Sequence, residues 1–212
     1  MADRALYNFG AAPLQDPIVG KFYLTDPWRN WFVDLQRQFL VRWDDLQFPA
    51  QGINLSGGAA DPGVDTTTGL LVFSGIADNM IGGVAKLSHQ WLPGSVVRPY
   101  VNLRFPTSAA ANTRWQFDYD IANENGAFIA AAGTYSSLTV ITVANPQNVL
   151  SSVVADFGDL PMVGFREGTD IMWRLWRLAA SDAADTDITD AHLMGLGFNF
   201  RKNKAGTVPE RA

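Results

Sequence analysis

The sequence predicts an all-β protein: an antiparallel two-sheet jelly-roll sandwich preceded by an extended N-terminal arm and one amphipathic helix. Three observations lead there. From about residue 64 the apolar residues recur with a period of 2, in eight or nine short stretches. Clusters of Gly, Pro, Asn and Asp separate those stretches. No helical pattern of about 10–15 residues falls between them, which argues against a parallel α/β sheet. Of the 212 residues, 47% are hydrophobic and 17% charged, enough apolar side chain to offset the entropy of ordering one sizeable domain plus an arm.

Residues 1–25 mix Gly, Pro and isolated aromatics (Tyr7, Phe9, Phe22, Tyr23) without a sustained period, and read as an extended arm. Thr25-Asp26-Pro27 then places a capping residue before Pro at the first helical position, a helix start. The helix that follows sets Trp28, Trp31, Phe32, Leu35 and Phe39 on one apolar stripe, with Asn30, Asp34, Arg37 and Gln38 largely on the other side. A single helix of about 15 residues is marginal alone in water. The stripe must therefore bury, either against the downstream domain or between subunits. Helix formation fades near Trp43, and the Gly-rich run over 49–63 reads as a linker.

The strands follow in order. Leu70 to Ser74 is the first. Ala85, Leu87, His89 and Trp91 alternate with polar residues before the Pro93-Gly94-Ser95 turn. Val97 to Phe105 alternates next, and Pro99 suggests an edge or a bulge. Trp115, Phe117, Tyr119 and Ile121 alternate with Arg114, Gln116, Asp118 and Asp120, the clearest strand, followed by the hairpin-type pair Asn125-Gly126. Further strands run through Gly126 to Ala132, Tyr135 to Val143, Val149 to Phe157, Asp170 to Leu178 and Ala191 to Arg201. The jelly roll thus spans 64–202, the N-terminal attachment segment 1–48, and a polar, frayed tail 203–212.

Composition narrows the function. A net charge of -5 with no basic stripe disfavours a nucleic-acid partner. No apolar run approaches the roughly 18 residues of a bilayer span, and residues 1–10 lack a signal layout. Zero cysteines remove disulfides, thiolate metal sites and cysteine nucleophiles together. With only His89 and His192, and no Gly-x-Ser-x-Gly elbow, neither a zinc site nor a serine hydrolase is indicated. The expectation is a non-enzymatic protein with no catalytic residues, no metal and no cofactor.

The remaining candidates each have a plain counterpart. Asp182, Asp185, Asp187 and Asp190 could gather oxygen ligands for Ca²⁺, but the segment lacks the Gly and terminal Glu of an EF-hand, and a solvated hairpin loop is the simpler reading. Asp118 and Asp120, with Glu124 or Glu167, could form a glycosidase pair. On the face opposite the aromatic stripe they read instead as hydrated residues paired with Arg. His89 reads as a core or interface histidine, and His192 has no partner at ligand spacing. Trp91, Trp115 and Trp173 read as core or subunit contacts, with a sugar-stacking platform as the alternative. Residues 171–178 are apolar on both faces, which implies a further layer, a neighbouring subunit or the N-terminal helix, and Trp176 is the best single interface candidate.

The run Gln90-Trp91-Leu92-Pro93-Gly94-Ser95-Val96-Val97-Arg98-Pro99-Tyr100-Val101-Asn102, followed by Trp115-Gln116-Phe117-Asp118-Tyr119, resembles the core of small jelly-roll structural proteins of tailed bacteriophages. Pro13 to Pro17 through Trp28-Arg29-Asn30-Trp31-Phe32 is similar to the attachment arms of phage tail-fibre and appendage proteins. Where many such proteins carry His, this chain has Tyr100 and Asn102, so no histidine cluster carries over. The resemblance implies a virion component that is a homotrimer, assembled in the host cytoplasm and docked on other tail or capsid proteins. A tail fibre or appendage comes first, because arm and helix precede the β domain, and a capsid-decorating cement protein second. A separate alternative is a carbohydrate-recognition module binding a host surface glycan through exposed aromatic and Asp/Asn side chains.

Overall fold

The computed structural model describes residues 14–15, 22–23, 27–31, 42–55, 58, 60–128, 134–147 and 151–202, and each structural statement concerns those residues. Two antiparallel sheets face each other. The first runs β11 (Ser152–Asp156), β7 (Val97–Arg104), β13 (Ala191–Lys202), β5 (Leu71–Phe73) and β4 (Gly63–Val64), with β3 (Arg42–Pro49) also paired to β13. The second runs β10 (Ile141–Ala144), β8 (Asn112–Ala122), β12 (Asp170–Arg177) and β6 (Asn79–Lys86), with β9 (Ser136–Ser137) also paired to β8. A separate pair joins β1 (Leu14–Gln15) to β2 (Phe22–Tyr23). Along the chain β5 to β8 alternate between the two sheets, and β10 to β13 do so again, so consecutive strands wrap the core as a jelly roll. The fold class expected from the sequence is the one observed.

Period-2 patterning produces this packing because alternate side chains leave a strand on opposite faces. On β12, Ile171, Trp173, Leu175 and Arg177 are buried while Met172, Arg174 and Trp176 are half-buried. Trp91, Trp115 and Trp173 are core residues, none more than 2% exposed. Aromatic contacts bind one sheet to the other: Phe117 meets Phe198 edge-on at 5.9 Å, Phe73 meets Trp115 at 4.9 Å, and Phe48 meets Trp173 at 5.8 Å. Each such side chain contributes roughly 1.5–3 kcal/mol through burial, and the rings add geometric preference.

The structure corrects the sequence reading in several places. Arg42–Pro49, assigned to the attachment segment, is a strand whose residues pair with Gly195–Lys202. Its period is masked because Asp44-Asp45 interrupts it, yet Leu46 and Phe48 pack on the core while Trp43 is exposed. Among the described residues the sandwich therefore includes Arg42–Pro49. The stretch read as a linker is partly laced to the sandwich: Ala50 is buried, and the Asn79 amide donates to the carbonyls of Ala60 and Asp61. The strand expected at 85–91 lies earlier, at Asn79–Lys86, because residues 87–90 turn away. Pro99 sits inside the first sheet between β11 and β13, not at an edge. Its nitrogen faces Phe157, whose N–H donates to the Pro99 carbonyl at 3.0 Å, so proline gives up only the return bond at the end of that ladder. Residues 126–128 are irregular, and only 27–31 of the expected helix are described, all helical. Phe32, Leu35 and Phe39 lie outside the described residues.

Candidate functional site

The outward face of the second sheet carries the most organised surface chemistry. Antiparallel register places Arg174 opposite Asp118 and Trp176 opposite Gln116, while β9 brings Ser137 against Asp118 from the other side. These residues close a network around one carboxylate. Asp118 accepts from the Trp176 indole N–H at 2.8 Å, the Gln116 amide at 2.7 Å and the Ser137 hydroxyl at 2.6 Å, and Arg174 Nη2 lies at 3.5 Å from it. Only 4% of Asp118 is exposed. The expectation of a hydrated carboxylate is thus wrong on hydration and right on the Arg partner: donors have taken the place of water.

The Arg174 guanidinium lies 3.6 Å from the centroid of the Tyr135 ring and 5.9 Å from that of Trp176. A cation over an aromatic face is electrostatically favoured, so Tyr135 is held across the sheet although it sits just before a two-residue strand. The layer anticipated over residues 171–178 is in part this segment of the same chain. Beside the network lies a groove of about 420 Å³ whose lining includes Tyr135, Arg174 and Met172 together with Asn54, Leu55 and Asp61. Gly82 and Gly83 of β6 also line it. Trp173 lies across Gly83, where a Cβ would come within 2.8 Å of the indole ring.

Trp176, singled out from the sequence as an interface residue, is half-buried and pinned by its N–H. Trp28 and Trp31 stack edge-on at 6.0 Å on the 27–31 helix, one turn apart as their spacing predicts. Tyr135, Arg174 and Ser137 were not anticipated. Arg174 and Gln116 share the outward parity of Trp176 and Asp118, a signal available in the sequence. Tyr135 and Ser137 reach the site only through the β8–β9 register.

The acidic segment after β12 is a loop with many exposed residues, as expected, but two of its carboxylates are held by arginines. The Arg177 side chain, wholly buried, donates from Nε and Nη2 to the two Asp185 oxygens at 3.2 and 3.1 Å, from Nη1 to the carbonyls of Phe73 and Thr189 at 3.1 and 2.8 Å, and from Nη2 to that of Asp187. Asp182 takes the Arg114 Nε at 2.8 Å. Among the described residues no group of three or more His, Cys, Asp or Glu side chains is gathered as metal ligands would be.

The remaining candidates are dispersed. Glu124 pairs with Lys86 at 2.9 Å near the surface, in the same loop end as Glu167. His89 lies in a turn beside Gly168 and Glu124, half-buried. His192 stands 4.0 Å from Asp65, and burial, helped by the nearby Arg104 charge, lowers its pKa below the usual imidazole range despite Asp65. On the outer face of the first sheet Tyr100 crosses Gly197 and donates to Asp45, and burial together with that carboxylate pushes its hydroxyl up to about 12.

No protein-family model matches this chain, and no curated protein matches it. Solved structures do. The chain is similar to a family 35 carbohydrate-binding module from an environmental isolate, with 12% identity and a TM-score of 0.41 over 71% of this chain and 90% of that one. A xylan-binding domain of family 22 shares 17% identity with a TM-score of 0.32, over 78% and 88%. A structure of infectious bursal disease virus, Gt strain, shares 12% with a TM-score of 0.36, over 94% of this chain and 37% of that one.

Proposed function

We propose that this chain is a non-enzymatic recognition module that binds a glycan on the outward face of its second sheet. The observation that carries the proposal is the pinned arrangement around Asp118: Trp176 fixed by its N–H, Gln116 and Ser137 fixed beside it, and Tyr135 clamped over Arg174 next to an open groove. Sugar rings present apolar C–H faces and hydroxyl rims. A held aromatic surface and a few oriented polar groups meet both needs, and groups already fixed lose little entropy on binding. The test is calorimetry or array binding with the full-length protein on host-surface polysaccharides. Trp176→Ala and Tyr135→Ala should each weaken binding at least tenfold while near-ultraviolet dichroism stays folded. Binding indifferent to both changes, or absent from every glycan tried, overturns the reading.

A second reading is a phage virion component, a tail fibre or appendage or a capsid-decorating protein, assembled as a trimer in the host cytoplasm. The indole pair Trp28 and Trp31, on a helix ahead of the sandwich, favours it. A trimer by light scattering that a Trp28→Ala/Trp31→Ala variant abolishes supports that reading, and a monomer at micromolar concentration rejects it.

A further inference from the structure

Arg174 is held on two sides and hydrogen-bonded on neither. Its guanidinium lies 3.6 Å from the centroid of the Tyr135 ring, and its Nη2 stands 3.5 Å from Asp118 Oδ2. A guanidinium carries five N–H donors in a fixed plane. Among the described residues none of them meets an acceptor in hydrogen-bond geometry, and Nε is closed off from solvent without one. Arg98, Arg114 and Arg177, by contrast, each donate directly to their aspartates. Asp118 explains the difference. Trp176, Gln116 and Ser137 already donate to it, so Arg174 supplies counter-charge and no hydrogen bond. The outcome is a cation whose charge is balanced inside the chain while its donors stay unused.

Arg174 also lines the groove, where it is the one positive residue. Among the described residues neither the Tyr135 hydroxyl nor the Asn54 amide beside it has a hydrogen-bond partner. Asp61, the other charged residue of the lining, is a carboxylate and adds no attraction for an anion. Leu55, Met80 and Met172 supply apolar surface.

We infer, on the basis of the recognition reading above, that Arg174 meets the ligand as a hydrogen-bond donor and not as a counter-ion, so that the site takes uncharged sugars and turns away uronate, sialylated and sulfated glycans. Neighbouring hydroxyls of a sugar offer paired acceptors to the planar edge of a guanidinium, and the apolar C–H face suits the methionines and Leu55. A carboxylate bound to the same edge brings a second negative charge close to Asp118, which three donors hold in place, and that repulsion offsets what Arg174 would gain. Asp118 thereby sets the selectivity without touching the ligand, since it takes the charge off the residue that does.

A glycan array carrying neutral, uronate, sialylated and sulfated glycans, probed with the full-length protein, tests this. Binding should be confined to neutral glycans and should change by less than about twofold between low salt and about 0.5 M NaCl. The strongest neutral binder and its uronate counterpart are then titrated into Asp118→Asn, with near-ultraviolet dichroism reporting the fold. Asparagine keeps an acceptor oxygen but leaves the charge of Arg174 unbalanced, so the preference for the neutral sugar over the uronate should fall on the order of tenfold. The salt response of the unaltered protein tests the same point without any substitution. Strongest binding to a charged glycan, a neutral-glycan affinity that collapses in salt, or an unchanged preference in folded Asp118→Asn each overturns the inference and leaves the recognition site standing. Silence across the whole array overturns the recognition reading and this inference together.

Discussion

Replacing Arg177 by Met should be the most damaging single change in the second sheet. The side chain is fully buried, and its hydrogen-bond partners are all acceptors: both oxygens of Asp185, whose side chain is 1% exposed, and the carbonyls of Phe73, Asp187 and Thr189. Methionine fills much of the volume and supplies no donor. Asp185 keeps the Arg114 backbone N–H at 2.9 Å but loses its counter-charge. Removing one partner of a buried ion pair costs about 3–5 kcal/mol, because the remaining charge is left in a poor solvent. That is a large part of the roughly 5–15 kcal/mol by which domains are stable, and it corresponds to a fall in Tm on the order of 10 °C for a domain of this size. Urea unfolding followed by tryptophan fluorescence measures it. Asp185→Leu in the Arg177→Met background should recover part of the loss, since the stranded carboxylate is then gone. A cost below about 1 kcal/mol for Arg177→Met, with no recovery in the double variant, would refute the assignment of Arg177 as the organiser of the 178–190 segment.

The folded state favours neutral His192, so its contribution is complete above the ordinary imidazole pKa of about 6.5 and is lost as pH falls through and below it. The urea midpoint should drop between pH 7.5 and 5.5, and His192→Asn should flatten that drop; equal slopes in both proteins would reject burial as the cause. Tyr100 works in the opposite direction. The fold retains its proton up to about 12, whereas the unfolded chain releases it near 10, so stability declines between those values. Tyr100→Phe should remove that part of the decline, and an ultraviolet titration should show one late tyrosinate that the variant lacks. Gly197→Ala places a Cβ about 2.5 Å from the Tyr100 ring and hydroxyl. It should cost about 1–3 kcal/mol and return the late tyrosinate to the ordinary range; an unperturbed titration would show that the ring does not lie where the contact requires.

Much of the fold was legible because a half-buried strand writes its two faces into alternate residues. Trp115, Phe117 and Ile121, and likewise Ile171, Trp173 and Leu175, are inward in the sequence pattern and in the structure. Arg42–Pro49 escaped because Asp44-Asp45 and the exposed Trp43 hide its period, and its partner lies some 150 residues away in the chain. The Asp118 network was half visible: Trp176 and Gln116 share its parity, but Tyr135 joins only through a two-residue strand with no pattern of its own.

Chain chemistry alone determined the all-β class, the strands that form the core and the identity of its tryptophans, because burial periodicity is a local property of the backbone. Tertiary structure decided which outward residues meet. Register between strands distant in sequence put Arg174 beside Asp118, sent Arg177 to Asp185 and set β6 at the end of its sheet. Those outcomes follow from how strands are ordered across a sheet, and that order is set by the wrapping of the whole chain around one core, which no local pattern encodes.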